Sequence, residues 1–380
     1  MAREVLHTDL CDLLGIEYPI ILAGMGAPQG DPLLTCTPAE LVAAVSNAGG
    51  LGIIGATRFN PDELRSEIRK TKELTDKPFG MDMLLPTMVD TAGAAAEAKA
   101  ELPPEHVAFV DKLKQEIGIP EVRVERPVLT WNQIKQLIEV AFEEGISLFV
   151  SGLGNPGWVT ADAHHRGIKV AGVVGNVKNA RRLAESGVDF VIVQGYEGGG
   201  HTGRIGSLVL IPQVVDAISP MPVVAGGGIG DGRGLVAALA LGAVGVWCGT
   251  IFLATKEAKI HEFHQKKILE ATDEGTCVTR VYTGKTARIL KNKWIEAWEK
   301  TGMPTLSYPQ QGLLIAEALE GLRKGSLTDY LSGYTGQVSG MIKEIKPAKQ
   351  VVDEMIEEAA RIVERLPVAV LGTERKALTN

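Results

Sequence analysis

A glycine-rich segment that ends in a histidine holds the residues best suited to chemistry. It contains Gln194, Gly199, Gly200 and His201 and directly follows an apolar stretch at residues 189–193. Consecutive glycines let a backbone lie close to a ligand, because no Cβ atom stands in the way. An imidazole beside them could transfer a proton near pH 7. The alternative interpretation is a flexible turn with an incidental histidine.

Two further glycine-rich stretches have the composition of phosphate-binding loops. An apolar stretch ends in Gly226, Gly227 and Gly228 and leads into a helical pattern. Backbone N–H groups in such a loop, with a helix N-terminus behind them, attract an anion. Gly249 and Thr250 end the next apolar stretch in the same way. The alternative is close packing between helix and sheet.

Other candidates would share the same rim if these strand ends come together. The first apolar stretch ends in glycines that would let a flat ring lie near the backbone, and the third ends in a carboxylate. A short polar segment between two glycines, at residues 336–340, could complete the rim. The residues concerned are Gly24, Met25, Gly26, Asp82, Gln337 and Gly340.

Eight short apolar stretches predict the strands that would carry these residues. They alternate with helical patterns at residues 39–48, 61–74, 177–186 and 232–241. Strands that are apolar throughout suit a parallel sheet covered on both faces. Eight strand–helix units in roughly 250 residues predict an α/β fold, a (β/α)8 TIM barrel, with a doubly wound sheet as the alternative. The predicted strands span residues 19–23, 51–54, 79–83, 147–150, 169–174, 190–193, 222–225 and 245–247.

Two segments depart from this alternation. Residues 86–127 interrupt the third unit with an alanine-rich stretch and a charged helical pattern at 106–117, which predicts a helical insertion over the barrel mouth. Helical patterns after the eighth unit predict a small helical subdomain. We therefore expect a barrel at residues 1–271 and a subdomain at residues 272–380 whose last part returns to the barrel rim. The subdomain patterns lie at residues 293–301, 313–323 and 349–366.

A GxGxxG motif at residues 50–55 does not predict a dinucleotide site. That fingerprint requires the glycines to follow a strand and open a helix. Here the glycines bracket a predicted strand and follow a predicted helix.

Composition narrows the class of partner. The formal net charge is −7 and the positive charges are scattered, so nucleic acid is not expected as a partner. No apolar run is long enough to span a membrane, and residues 1–12 do not resemble a signal peptide. Four widely separated cysteines are typical of reduced thiols in a cytoplasmic protein. We expect a small-molecule substrate, and the sequence is compatible with a homodimer.

Other titratable residues are less suited to chemistry. His164 and His165 are adjacent in a helical pattern, so we expect them at the surface. His261 and His264 could form half of a metal site, but no carboxylate or cysteine cluster completes it, and we expect no metal. Cys248 lies inside the eighth predicted strand and is expected to pack rather than react.

The order of the motifs resembles the nitronate monooxygenase family, formerly called 2-nitropropane dioxygenases. That family includes flavin-dependent NADH:quinone reductases and FMN-dependent enoyl-ACP reductases. The similarity covers about residues 14–255 and returns near the C-terminus, and residues 232–243 are most similar to the quinone reductases. It rests on residues 24–26, 44–52, 77–80, 197–203, 225–232, 249–250 and 336–340.

The resemblance implies FMN at the carboxyl ends of the barrel strands, with its phosphate on the loops after the seventh and eighth strands. It implies that His201 is the active-site histidine and that the chain is a flavin-dependent oxidoreductase, specifically one that oxidises alkyl nitronates with O2. The alternative is reduction of a quinone or an enoyl thioester (CoA or ACP), with NADH or NADPH as co-substrate. His201 would act on the nitronate or nitroalkane in the first case and donate a proton in the second.

Two residues depart from the family pattern. Asp82 stands where members usually have asparagine, and a carboxylate there would repel the negative charge of the cofactor, so we expect a different contact. Ile251 replaces an arginine after Gly249 and Thr250, so a phosphate would rely more on backbone N–H groups.

A function outside redox chemistry also fits the glycine loops. A barrel enzyme that binds a phosphorylated metabolite, such as an isomerase or aldolase, would use the same loops. A colourless protein that takes up no FMN would favour it. A purely structural role is disfavoured, because glycine-rich strand ends weaken a barrel unless a ligand uses them.

Overall fold

The computed structural model describes residues 6–26, 33–85, 102–124 and 130–371, and its centre is a barrel of eight parallel strands. Each of the eight predicted strands is present, with boundaries that differ by at most three residues. In chain order the strands are β1 (Ile20–Leu22), β2 (Gly52–Gly55), β3 (Phe79–Leu84), β4 (Leu148–Leu153), β5 (Lys169–Val174), β6 (Phe190–Gln194), β7 (Gly200–His201), β8 (Val223–Gly226), β9 (Gly245–Cys248), β10 (Thr276–Thr279) and β11 (Ala287–Leu290).

The strand order shows that the sheet closes on itself. It runs β1-β9-β8-β6-β5-β4-β3-β2, and a parallel bridge between Ile21 and Leu51 joins its two edges. This confirms the predicted TIM barrel and excludes the doubly wound sheet, which would leave two open edges. The GxGxxG glycines also lie as expected, since Gly52 and Gly55 bound β2.

The helices pack around this barrel. The start of the helix Pro61–Leu74 shows how local sequence sets a boundary. The Asn60 side chain accepts the Glu63 N–H, the Glu63 side chain accepts the Asn60 N–H, and Pro61 follows the cap. Within the described ranges, none of the helices is long and apolar enough to cross a membrane. In chain order they are α1 (Asp9–Leu14), α2 (Ala39–Asn47), α3 (Pro61–Leu74), α4 (Pro104–Ile117), α5 (Trp131–Glu143), α6 (Gly157–His165), α7 (Val177–Ala184), α8 (Ser207–Ile218), α9 (Gly232–Ala240), α10 (Thr250–Leu253), α11 (Glu262–Leu269), α12 (Lys293–Glu299), α13 (Gln310–Leu314), α14 (Ala316–Lys324) and α15 (Ala348–Leu371).

Alternate residues of the strands build two separate cores. One set of side chains, including Ile53, Val150 and Phe190, fills the barrel interior, and the other set packs beneath the helices. At the amino end, Leu10 of α1 joins the interior core and lies so close to β9 that a Cβ on Gly245 would be 2.4 Å from its Cδ2 atom. Helix α1 therefore closes the amino end, and the carboxyl ends of the strands form the open mouth.

The helix that completes the barrel comes from the far end of the chain. After β9 the chain forms only the four-residue α10 before it leaves the barrel, and α15 returns to pack against α9 and α2. A Cβ on Gly232 would lie 2.4 Å from the backbone nitrogen of Ala359, so α9 needs a glycine where α15 crosses it. The Glu358 side chain accepts the Gly232 N–H at 2.8 Å.

The C-terminal segment, residues 272–371, is not wholly helical. Its strands β10 and β11 form an antiparallel hairpin, and β11 pairs with β7. Helix α4, which confirms the helix predicted at residues 106–117, packs through Val110 and Leu113 against Trp298 in a third core. The alanine-rich stretch of the insertion lies outside the described residues. The division of the chain at residue 271 stays a prediction.

Candidate active site

A cavity of about 860 Å³ opens at the carboxyl ends of the barrel strands. This volume falls within the range of roughly 300–1,000 Å³ that cofactor and ligand sites occupy. Strand ends from around the barrel meet there, as the TIM-barrel interpretation requires. The predicted site residues that line it are Gly24, Met25, Gly26, Asp82, Gln194, Gly199, Gly200, His201, Gly227, Gly228, Gly249 and Thr250.

The segment at residues 194–201, which we call the histidine segment, is held by hydrogen bonds on both sides. His201 lies in β7, which pairs with β11 through His201 opposite Ala287 and Gly200 opposite Arg288. Gln194 Nε2 donates to the carbonyl oxygen of His201 at 2.9 Å. The buried Arg288 guanidinium donates to the carbonyl oxygen of Tyr196 through two nitrogens, at 3.2 and 3.1 Å. The segment is therefore an ordered part of a sheet rather than a flexible turn.

The environment of His201 keeps its imidazole neutral. Burial, with a smaller effect of the positive charge of Lys285, lowers the pKa of His201 from 6.5 to about 4. Its Nε2 atom lies 3.1 Å from Thr283 Oγ1, which fixes the ring. A neutral imidazole offers one N–H donor and one acceptor nitrogen. At pH 7 His201 can therefore donate one hydrogen bond and accept one, and its low pKa makes it a weak base.

Asp82 lies at the carboxyl end of β3, on the cavity wall. Its carboxyl group accepts the backbone N–H groups of Met83 and Gly152, whereas its Oδ1 atom is buried and has no hydrogen-bond partner. Although the residue is partly accessible through the cavity, burial dominates and raises the pKa of Asp82 from 3.8 to about 8. The expected repulsion of an anionic cofactor thus does not arise at pH 7, because the carboxyl group is neutral.

The loop after β8 offers backbone N–H groups to an anion. Gly227 and Gly228 have positive φ angles of 87° and 77°, which glycine adopts without strain. Within the described part of the chain, the N–H groups of Gly227, Gly228 and Ile229 donate to no backbone or side-chain acceptor. Successive free amides of this kind form a concave anion site.

The N-terminus of α9, by contrast, is already occupied by carboxylates. Asp231 accepts the N–H groups of Arg233 and Gly234, and Glu358 accepts that of Gly232. The prediction that this helix end attracts an anion is therefore wrong. Any phosphate must rely on the loop itself.

The loop after β9 connects the barrel to the C-terminal segment. Thr250 Oγ1 accepts the Gly336 N–H at 2.8 Å. A Cβ on Gly199 would lie 2.7 Å from the Gly336 nitrogen, so the histidine segment also contacts this point closely. Ile251 is buried in the core and offers no charge to a phosphate.

Three of the predicted cofactor-binding residues lie outside the cavity lining. Gly226 lies beneath Trp247, whose Cδ1 atom would be 3.2 Å from a Cβ at this position. The Gln337 backbone N–H donates to the carbonyl oxygen of Glu197, in the histidine segment, at 3.0 Å. Gly340 packs against Thr272. The glycines at positions 226 and 340 are therefore explained by close packing.

The remaining titratable residues are placed as predicted. His164 Nε2 lies 2.9 Å from Asp189 Oδ2 near the surface, and the buried His264 lies 3.0 Å from Thr335 Oγ1. Cys248 is buried, which raises the pKa of its thiol to about 12. Among the described residues, no group of three or more His, Cys, Asp or Glu side chains is placed to hold a metal ion.

The cavity residues that were not expected from the sequence include Thr283, Tyr308 and Tyr334. All three belong to the C-terminal segment, whose hairpin carries Thr283 to His201. The signal that could have revealed the hairpin is the β-branched stretch at residues 276–279, followed by a glycine at 284 and a second stretch with apolar residues at 287–290. Gly284 has a positive φ of 77° in the structure. We expected helices there and therefore missed the hairpin.

Similarities to known proteins extend over nearly the whole chain. The family model "Nitronate monooxygenase" matches residues 7–358. A putative monooxygenase of Mycobacterium tuberculosis is 38% identical over 376 residues, which cover 93% of this chain and 96% of that protein. The structure of FabK from Thermotoga maritima is 32% identical, with a TM-score of 0.74, and covers 96% of this chain and 100% of its own. Nitroalkane oxidase from Streptomyces ansochromogenes is 27% identical, with a TM-score of 0.77 and coverage of 94% and 99%.

Proposed function

This chain belongs to the nitronate monooxygenase family and is a flavin-dependent oxidoreductase, and we propose that it uses FMN to oxidise alkyl nitronates with O2. The observation that carries the proposal is a neutral imidazole on the wall of a glycine-lined cavity at the barrel mouth. The substrate is a small molecule, in keeping with the enclosed site.

The residues present fit FMN. The free N–H groups of Gly227, Gly228 and Ile229 suit a phosphate, and the orphaned Oδ1 atom of Asp82 suits a polar atom of a cofactor. A Cβ at Gly26 would meet no atom of the described residues within 4 Å, so a ring could lie against the backbone there. When bound, FMN would supply the electron transfer, for which the protein provides binding and orientation.

His201 supports nitronate chemistry through its neutral state. Thr283 lies at hydrogen-bond distance from Nε2, which leaves Nδ1 for the substrate. A neutral imidazole can accept the proton that a nitroalkane loses on becoming a nitronate, or donate a hydrogen bond to a nitronate that is already formed. Overall, the C=N bond of the nitronate breaks, the carbon gains an oxygen atom and the nitrogen leaves as nitrite, so that two nitronates and one O2 give two carbonyl compounds and two nitrite ions.

A reductase that takes hydride from NADH or NADPH and acts on a quinone or an enoyl thioester is the second candidate. The cavity lining includes the apolar side chains of Phe59, Leu84, Val124 and Leu313, which would suit a ring or an acyl chain. The similarity to FabK points the same way. Burial disfavours a charged His201, which weighs against a proton donor here and equally against a base that must hold a proton, so it favours a substrate that is already a nitronate.

The test is anaerobic stopped-flow mixing of the oxidised protein with NADH, NADPH and propyl nitronate in separate experiments. Bleaching of the flavin absorbance by the nitronate alone would support the monooxygenase. Rapid bleaching by a pyridine nucleotide would support the reductase. A colourless protein that takes up no added FMN would refute both and favour a barrel that binds a phosphorylated metabolite.

A further inference from the structure

Asp82 lies in a pocket of the cavity wall formed by uncharged groups. Its neighbours include Gly24, Ile53 and Gly152: a Cβ on Gly24 would be 2.4 Å from the Asp82 Cβ, and one on Gly152 would be 3.1 Å from Oδ1. The strands on either side, β2 and β4, pair with Asp82 through Gly55 and Val150. None of these residues carries a titratable side chain.

Within the described ranges, no cationic side chain compensates the carboxyl group of Asp82. Asp82 forms no ion pair with any described residue, and backbone N–H groups supply its hydrogen bonds. The Oδ1 atom is buried without a partner. An unpaired buried polar atom is costly unless a ligand or a proton satisfies it. The titratable residues elsewhere on the described cavity wall are Cys36, Arg58, Glu63, Glu197, His201, Cys248, His264, Tyr308, Glu320 and Tyr334.

We propose that Asp82 is a neutral carboxylic acid in the working protein and donates a hydrogen bond to an acceptor atom of the bound cofactor. The inference rests on the proposed FMN site. A protonated carboxyl group has one O–H donor, whereas a carboxylate has acceptors alone. Burial, which raises the pKa of Asp82 to about 8, maintains the donor form at pH 7. A carboxylic acid kept neutral by an apolar site is a known catalytic device.

The proposal makes cofactor binding depend on pH. Deprotonation of Asp82 would remove the donor and place a negative charge against the acceptor atom of the cofactor. The dissociation constant for FMN should therefore be constant up to about pH 8 and rise by up to about tenfold per pH unit above it. The phosphate of FMN does not cause this change, because its second ionisation is complete well below pH 8.

The test is a titration of the apoprotein with FMN between about pH 6.5 and 9.5, followed by flavin fluorescence. Asp82→Asn should bind FMN with an affinity that does not change over this range, because an amide N–H donates at every pH. Glu320→Gln, which alters a cavity-wall carboxylate paired with Arg323, should keep the slope of the unmodified protein. A flat profile for the unmodified protein, or an equal slope for Asp82→Asn, would overturn the inference.

Infrared difference spectroscopy reads the proton directly. The difference between the unmodified protein and Asp82→Asn at pH 7 should contain the C=O band of a carboxylic acid, which converts to carboxylate bands as the pH is raised. Carboxylate bands at pH 7 would overturn the inference. Failure of FMN to bind at every pH would overturn the proposed function together with this inference, whereas tight binding with a flat profile would overturn this inference alone.

Discussion

Replacing His201 should change how the stability of the protein depends on pH. The pKa of His201 is 6.5 in an unfolded chain and about 4 in the folded protein, first because of burial and second because of Lys285. Between these values the unfolded chain binds a proton that the folded protein does not. The free energy of unfolding must therefore fall as the pH drops from about 6.5 towards 4.

The size of this loss follows from the two pKa values. Each pKa unit corresponds to about 1.4 kcal/mol, so the full loss below pH 4 would be about 3 kcal/mol and the loss at pH 5 about 2 kcal/mol. The imidazole is partly accessible through the cavity, and water there screens its charge. We therefore expect about 1–2 kcal/mol at pH 5.

The measurement is urea unfolding of the apoprotein at about pH 7.5 and 5, for the unmodified protein and for His201→Asn. The unmodified protein should lose about 1–2 kcal/mol more than His201→Asn between the two pH values. Lys285→Met should give a smaller loss than the unmodified protein, because it removes the second cause of the lowered pKa. Equal pH dependence in the unmodified protein and His201→Asn would refute the neutral imidazole and the role built on it.

Three further predictions concern the site and its supports. His201→Ala should keep FMN bound and lower turnover by about 100-fold or more, so unchanged turnover with the true substrate would contradict the role of this residue. Gly227→Val should reduce the FMN retained after gel filtration, because its Cβ would lie 2.9 Å from the Gly195 oxygen and displace the histidine segment. The control is Gly167→Val, since Gly167 also has a positive φ, lies outside the cavity lining and has no described atom within 4 Å of an added Cβ. Gly232→Ala should lower the free energy of unfolding by about 1–3 kcal/mol by forcing α15 away from α9, and an unchanged urea midpoint would show that α15 does not hold this position.

The barrel could be predicted because its determinants are local. Strands such as residues 169–174 are continuous apolar stretches, and the glycines that end β6 and β8 mark where the chain meets the mouth. His201 follows directly from this arrangement, since the carboxyl ends of the strands gather at one rim. Local pattern was thus sufficient for the fold and for the approximate position of the histidine.

Local pattern was not sufficient where distant segments meet. Gly232 has the appearance of a phosphate-loop glycine, yet its position is explained by the approach of α15, more than a hundred residues later. The pairing of β11 with β7 likewise depends on contacts that no short stretch encodes. The protonation of Asp82 depends on how completely the neighbouring strands enclose it, and a sequence shows the carboxyl group without its surroundings.

These distant contacts make the candidate site a joint product of the barrel and the C-terminal segment. The barrel supplies His201, but β11 fixes its strand and Thr283 its ring. The same segment connects Gly336 to Thr250 at the loop after β9, and α15 completes the ring of helices. The completed ring of helices and the orientation of the imidazole thus depend on one stretch of chain. A cavity with the proposed chemistry forms when that stretch has folded onto the mouth, which explains why its polar residues are as much part of the site as the barrel glycines.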